Sequence, residues 1–340
     1  MELVLLTDYR GALRQRQQIW QSLDVAKLRG LLKEAGITTE VHRFEDVAAG
    51  GVELSGRIIH YTSTQDAGYR PFVDDILFHL DRENQLLPRY EIFRAHENKG
   101  FQELLRRRLE LPALPAAYFG NEKGLDGFAE DFTYPVVFKA ASGFQSTGVR
   151  LVKSATELRA VVHRHNRPAD LIRYRLKETL KKTVLRDRYH PEMYRDCVHT
   201  GPYVLQDFVP GAAGDWKVLA YGDHLFVLRR MVRKGDFRAS GSGRFGYEVP
   251  PDTVLDCAAA VLAKLDVPMA SLDILELDGQ CHLIEFQGIH FGTLTVDNAP
   301  WRFERRGGAW ARIEQKADLE TEHAHALRLY LEREDSLVQP

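Results

Sequence analysis

Two apolar runs, SLDILEL and QCHLIEFQ, flank Asp278-Gly279 between residues 271 and 287. An Asp-Gly pair between two such runs is a strong short-range signal for a β-hairpin. Each run nevertheless carries a carboxylate in its interior, Asp273 and Glu285, and Gln287 follows two residues later. A buried carboxylate without a partner costs several kcal/mol, so the face bearing these groups has to meet positive charge. The turn decides which groups share that face. A two-residue turn at Asp278-Gly279 places Asp273 and Glu285 on opposite faces. A three-residue loop, Leu277-Asp278-Gly279, pairs Glu276 with Gln280 and gathers Asp273, Glu285 and Gln287 on one side. Leu272, Ile274, Ile284 and Phe286 are then left for a core. The second register separates polar from apolar groups and is the expected one. Two carboxylates and an amide oxygen on one sheet face are hard ligands that suit Mg²⁺; pairing with Arg or Lys on an exposed face is the alternative.

The remaining chain sets this hairpin in an α/β context. ELVLLT, TTEVHRF and GRIIHYTS read as strands, with helical spacing over 12–35 and 71–81, so the first third predicts a small parallel α/β domain. YPVVFKA and GVRLVKS read as a hairpin joined by a glycine-bearing loop, with helices over 155–165 and 170–185. The stretch 166–200 is a charged insert. YVLQDFV, DWKVLAYG and HLFVLRRMV are strands, 252–265 is a helix starting at Asp252 after two prolines, and DLETEHAHALRLYLERE is a closing helix. Arg106, Arg107 and Arg108 read as a solvated helix face. His323 and His325, two apart, diverge on a helix and form no metal pair with each other.

A net charge of −2 and a pI near 6.7 give no electrostatic footprint for nucleic acid or an anionic membrane. No apolar run approaches the roughly 20 residues needed to span a bilayer, and MELVLLTDYR reads as a first strand rather than a signal peptide. Three widely spaced cysteines without a CxxC pair point to reduced thiols and a cytoplasmic protein.

Further groups suit phosphate chemistry. KAASGFQSTGV, residues 139–149, is a small-residue loop whose backbone N–H groups can cover phosphates, preceded by Lys139 on a strand. It is not a Walker A loop, which requires Gly-Lys-Ser/Thr opening a helix. Lys99 follows RAHEN at a helix start. Lys217, Arg229, Arg230 and Arg238 lie on or beside successive strands, as charge neutralisation in phosphoryl transfer requires. Asp66, Tyr69, Arg70 and His290 lie after strand ends, where open α/β sheets bind ligands, and are candidate substrate contacts.

The ordered series (lysine, strand lysine, glycine loop, VLQDFV, Asp-x-Lys, GDFR, strand Asp, Glu-x-Gln) resembles the ATP-grasp superfamily over about residues 90–300. It is most similar to its glutathione-synthetase-like and ribosomal-protein-modifying glutamate ligase branch. The resemblance implies an α/β (α+β) ATP-grasp fold. Residues 1–93 would be a Rossmann-like preceding domain, 94–203 a subdomain with the glycine loop, and 204–340 a subdomain with the metal site. It implies that Lys99, Lys139, Ser142, Gly143, Ser146, Gly148, Gln206, Asp207, Phe208, Val209 and Asp215 contact ATP. Lys139, Lys217, Arg230 and Arg238 would stabilise transferring charge, while Asp273, Glu285 and Gln287 hold two Mg²⁺ ions. The implied activity joins a small-molecule carboxylate (an amino acid, peptide or sugar acid) to an amine through an acyl-phosphate, in a homodimer. A small-molecule kinase and a non-catalytic nucleotide-binding scaffold are the alternatives. Three residues depart from the pattern: Gln287 stands for Asn, Lys217 for Arg, and Ser240 where Asn often follows GDFR. The 166–200 insert is also longer than the pattern has.

Overall fold

The computed structural model describes residues 1–338 apart from 17, 19, 64, 65, 67, 143–147, 168–170, 187–199 and 234. The expected nucleotide contacts Gly143 and Ser146, together with Cys197 and much of the charged insert, lie outside the described residues. The chain divides into two compact units. The larger comprises Met1–His96, Leu105–Ala113 and Ala212–Pro340; the smaller comprises Glu97–Leu104 and Leu114–Gly211.

In the larger unit, β1 (Glu2–Thr7), β2 (Thr38–Arg43), β3 (Ile58–Tyr61) and β4 (Gln85–Leu87) form a parallel sheet ordered β2-β1-β3-β4. Leu3 to Leu6 of β1 are fully buried, as a parallel strand covered on both faces demands. Helices α1 (Val25–Glu34), α2 (Phe44–Ala48), α3 (Arg70–Leu80) and α4 (Tyr90–Ala95) connect and follow these strands. The first helix is shorter than the 12–35 spacing predicts. It starts at Val25 because the Asp24 side chain accepts from the Lys27 amide. Upstream, Leu23 N bonds Leu13 O at 2.9 Å and Arg14 pairs with Asp8 at 2.7 Å, closing a non-helical loop that buries Leu13.

The smaller unit contains the first half of α5 (Lys99–Arg108) and a four-stranded antiparallel sheet. Its strands are β5 (Ala116–Asn121), β6 (Val136–Ala140), β7 (Val149–Val152) and, after α6 (Ala155–His165) and α7 (Leu171–Leu185), β8 (Thr200–Asp207). The order is β5-β8-β6-β7, so β6 and β7 are the expected hairpin. Phe138, Val152, Leu158, Val162, Tyr203 and Leu205 fill its core.

The larger unit's second sheet has seven strands, ordered β13-β12-β9-β10-β14-β15 with β11 on β10. These are β9 (Gly214–Tyr221), β10 (His224–Met231), β11 (Phe245–Gly246), β12 (Met269–Leu277), β13 (Gln280–Gln287), β14 (Arg302–Arg306) and β15 (Ala309–Ile313). Helices α8 (Asp252–Leu265), α9 (Leu294–Asn298) and α10 (Leu319–Val338) accompany them. Among the described residues no helix is long and apolar enough to cross a membrane.

The β12–β13 hairpin corrects the expected turn. Leu277 pairs with Gln280 across a two-residue turn in which Asp278 and Gly279 have φ of +52° and +79°, as a twisted two-residue hairpin turn requires. A bulge at Ile284 then shifts the register, so that Asp273 faces Glu285 directly and Ser271 faces Gln287. The carboxylates therefore share a face, as expected, but by another route. Leu283, not Ile284, enters the core, fully buried beside Leu272, Ile274 and Phe286; each such side chain stabilises by roughly 1.5–3 kcal/mol. The bulge frees backbone groups that need partners. Leu283 N donates to Pro112 O at 2.6 Å, and Arg106 donates to Ile284 O. Arg106 is thus buried rather than solvated, because it supports the bulge.

Gly214 opens β9 where backbone meets backbone. A Cβ there would lie 2.0 Å from Arg230 O, so Gly214→Ala must push β9 and β10 apart beside Asp215. We expect the substitution to cost about 3 kcal/mol or more in denaturant unfolding. A wild-type midpoint would show that the two strands can separate without penalty.

Candidate functional site

Three neighbouring strands of the larger unit bring one charged cluster together. Asp215 and Lys217 alternate along β9, Arg230 pairs with Asp215 from β10, and Asp273 pairs with Lys217 from β12. Arg230 holds Asp215 through Nε at 2.6 Å and a second guanidinium nitrogen at 2.8 Å, and it reaches Asp273 Oδ2 at 2.8 Å. Lys217 Nζ lies 3.2 Å from Asp273 Oδ1 and 2.8 Å from Ser271 Oγ. Burial alone would raise the Asp273 pKa, but Arg230 and Lys217 outweigh it and hold this carboxyl well below the usual range. Burial and the neighbouring Asp273 charge push Asp215 up. Arg229 turns to the opposite face and stacks 4.6 Å over Trp216.

Glu285 stands directly across from Asp273. Its Oε1 accepts from Gln287 Nε2 at 3.0 Å, while Gln287 Oε1 accepts from His96 Nδ1 at 2.6 Å. Gln287 is therefore placed otherwise than a metal ligand would be: its oxygen faces His96 and its amide protons face Glu285. One methylene more than Asn gives it that reach. His96 is buried, and its Nε2 has no hydrogen-bond partner among the described residues. Burial, with the Arg70 charge and His290 nearby, pushes its pKa down to about 3, so the ring is neutral. Sequence reasoning passed over His96, and nothing local marks it, because its partner lies 191 residues away.

The four candidate substrate residues divide. Arg70 donates to the His96 carbonyl, and the His290 ring stands edge-on to His96 at 6.4 Å, its Nδ1 bonded to Arg14 O. Asp66 is exposed and shapes the turn before α3 by accepting from Gly68 N at 2.9 Å; Tyr69 donates to Glu45 Oε1 at 2.7 Å. Arg238 bonds the Asp236 of its own GDFR run, at 2.6 Å for the closest pair.

In the smaller unit, Lys139 on β6 donates to Gln206 Oε1 on β8 at 2.6 Å, with both side chains buried. Gln206 Nε2 is a buried donor without a partner among the described residues. Lys99 is also buried; its amide bonds Ala141 O at 2.8 Å, and Asn98 bridges Ser142, which ties the start of α5 to the glycine loop. Gly148 closes that loop with φ +78°, and a Cβ there would lie 3.0 Å from Ala140 Cβ. Asp207, Phe208 and Val209 continue from β8 toward the end of the unit, Asp207 exposed and the other two half-buried.

The donor set fits its expected ligands in part. Asp215, Asp273 and Glu285 against Lys217 and Arg230 leave one negative charge in excess, and Asp273 and Glu285 offer the hard oxygens that a magnesium ion takes. Gln287, while held by His96, adds no oxygen. The orphaned Gln206 amide fits the acceptor edge of a purine base.

Solved structures share this architecture. D-cycloserine synthetase DcsG matches with a TM-score of 0.54 at 16% identity, over 96% of this chain and 99% of that one. PsnB, an ATP-grasp ligase solved with its minimal precursor, matches at 0.52 and 14% identity over 97% and 98%. An ATP-grasp RimK domain protein from Sphaerobacter thermophilus matches at 0.50 and 11% identity over 97% and 99%. No family model and no curated protein matches the sequence. At these identities the likeness shows the fold alone.

Proposed function

We propose that this chain, which has the ATP-grasp fold, is an ATP- and Mg²⁺-dependent ligase that joins a carboxylate to an amine. The observation that carries the reading is Asp273 directly opposite Glu285, flanked by Lys217 and Arg230. In this reading the substrate carboxylate takes the γ-phosphoryl group of ATP, giving an acyl-phosphate and ADP. The amine then displaces phosphate, leaving an amide. Asp273 and Glu285 would hold magnesium, which supplies charge neutralisation to the phosphates. Lys217 and Arg230 orient Asp273 and keep it ionised, and their fixed charges need no proton transfer to act. Lys99, Lys139 and Gln206, with the residue 142–148 loop, take the nucleotide contacts in the smaller unit. Residues 1–93 would serve as the preceding domain, with Arg70 and His290 on the substrate side.

The test is an ADP-release screen over amino acids, peptides and sugar acids, each with and without an amine, with the product weighed by mass spectrometry. An amide product that requires both substrates supports the ligase. A stable phosphorylated product without an amine supports a kinase instead. The His96 bond that occupies the Gln287 oxygen favours one further reading, a non-catalytic nucleotide binder, which predicts binding without ADP release across the panel.

Lys139→Met, which keeps the aliphatic stem, is expected to weaken ATP binding about 10- to 100-fold through loss of a charge-assisted contact. Unchanged affinity in a calorimetric titration would show that Lys139 does not touch nucleotide.

A further inference from the structure

The turn joining β9 to β10 is pressed against α10. Gly222 there has φ +59°, which favours glycine, and a Cβ would lie 2.9 Å from the terminal Leu329 Cδ1 and 3.5 Å from Ala326 Cα, so the turn lies directly on the helix. The approach sets Asp223, His224 and His325 side by side, with one ligand atom from each within 4.8 Å of the others. His323, two residues earlier, faces a different partner, His60. The His224 and His325 rings stack at 4.0 Å. His325 Nε2 is 2.6 Å from Asp223 Oδ1, and His224 Nε2 is 3.9 Å from the same oxygen. His224 Nδ1 donates to Glu322 Oε2 at 2.6 Å, and that carboxylate is 5% exposed. In the neutral ring this fixes the proton on Nδ1 and leaves the Nε2 lone pair free. A carboxylate behind one imidazole nitrogen, orienting the other, is the usual outer support of a metal-binding histidine.

We propose that Asp223, His224 and His325 bind a divalent cation of the zinc class (Zn²⁺, with Co²⁺ and Ni²⁺ as analogues) and clamp the β9–β10 turn to α10. Imidazole nitrogens select such borderline metals over Mg²⁺, so this site is chemically distinct from the Asp273–Glu285 pair. Ligand atoms of a tetrahedral ion with bonds of about 2.0–2.1 Å lie roughly 3.3 Å apart. The 2.6 and 3.9 Å separations from Asp223 Oδ1 bracket that value, and the Asp223 side chain is 62% exposed and can move to equalise them. His325 Nε2 donates to Asp223 Oδ1 in the metal-free chain, so the ion must displace that proton to solvent, and the ring, 21% exposed, must tilt out of the stack for the freed lone pair to converge. Arg328, 3.5 Å from His325 Nδ1, already has Glu332 as its partner at 2.8 Å. Glu304 lies 3.4 Å from His224 Nε2 but is held by Arg302 and Arg306. It stays a neighbour, and water takes the fourth position.

The test is a calorimetric titration of the full chain with Zn²⁺ in the presence of excess Mg²⁺. The wild type is expected to bind one ion per chain without competition from Mg²⁺, and its Tm is expected to rise with Zn²⁺. Asp223→Ala, at an exposed side chain, should weaken binding at least about tenfold while keeping the metal-free Tm; His325→Ala should weaken it as far and also lower the metal-free Tm, because its ring packs on His224. Glu285→Gln should bind Zn²⁺ as the wild type does. Failure of the wild type to bind Zn²⁺, or undiminished binding in both Asp223→Ala and His325→Ala, overturns the proposal.

Discussion

Glu285→Gln is expected to lower ATP turnover by about 10²–10³-fold, the usual consequence of removing one group that stabilises developing charge, while leaving stability at the wild-type level. Asp273→Asn is expected to lose turnover at least as far and to lose about 3 kcal/mol of stability as well. The contrast follows from their partners. Asp273 lies between Arg230 and Lys217, and removing one member of a buried ion network leaves uncompensated charge, at a cost of about 3–5 kcal/mol. Arg230 keeps its two bonds to Asp215, which places the expected loss at the lower end. Glu285 receives only the Gln287 amide among the described bonds, and a glutamine oxygen can accept it equally well. ADP release beside denaturant unfolding separates the two effects. Wild-type turnover in Glu285→Gln would sink the metal assignment without any ambiguity from unfolding.

The same strand pair shows how much of the site was legible in the sequence. The demand that polar groups segregate from Leu272, Ile274 and Phe286 pointed to a shared face for Asp273 and Glu285, but only by way of a three-residue loop that the chain does not form. The spacing could not reveal that a two-residue turn and a bulge at Ile284 accomplish this together. The bulge is held by Pro112 and Arg106, 178 residues from Ile284 in the latter case, and local pattern carries no record of such a partner. For the same reason Arg106 read as solvated and His96 went unnoticed. The order of the motif points to Arg238, but nothing in that order says that its guanidinium bonds the neighbouring Asp236. By contrast, the β14–β15 hairpin is legible in the sequence. Gly307-Gly308 between RFERR and AWARI is an ordinary hairpin signal, and β14 and β15 pair across it with φ of +59° and +89°. The helical spacing over 12–35 runs past the true start of the first helix because buried Leu13 lies in register with the later apolar residues, although its burial comes from a loop.

Acidification from pH 6.5 to 5 is expected to cost the fold about 4 kcal/mol or more, through histidines buried in the neutral form. The hydrogen bonds of His60 and His323 fix their protons. His60 Nδ1 lies 2.9 Å from the Leu87 carbonyl, which can only accept, so Nδ1 carries the hydrogen and His60 Nε2 is an acceptor. The 2.8 Å contact between the two Nε2 atoms therefore takes its proton from His323, whose Nδ1 is buried without a partner. A second proton on either Nε2 or Nδ1 would be buried charge with no acceptor. Burial lowers the His60 pKa to about 4, although its bond to Leu87 opposes this, and lowers that of His323 well below the ordinary value; His96 falls to about 3. In the unfolded chain these rings protonate near pH 6.5. Between that value and the folded values the unfolded state binds more protons, so stability falls as pH falls through the window and is flat above it. At pH 5 each ring contributes about 1.5 units at 1.36 kcal/mol per unit, roughly 2 kcal/mol; His60 and His96 together give about 4 kcal/mol, and His323 adds to it. Denaturant unfolding at a series of pH values measures the slope directly. His323→Leu is expected to make it shallower, and equal stability at pH 7 and pH 5 in the wild type would show that these rings accept protons without opening the core.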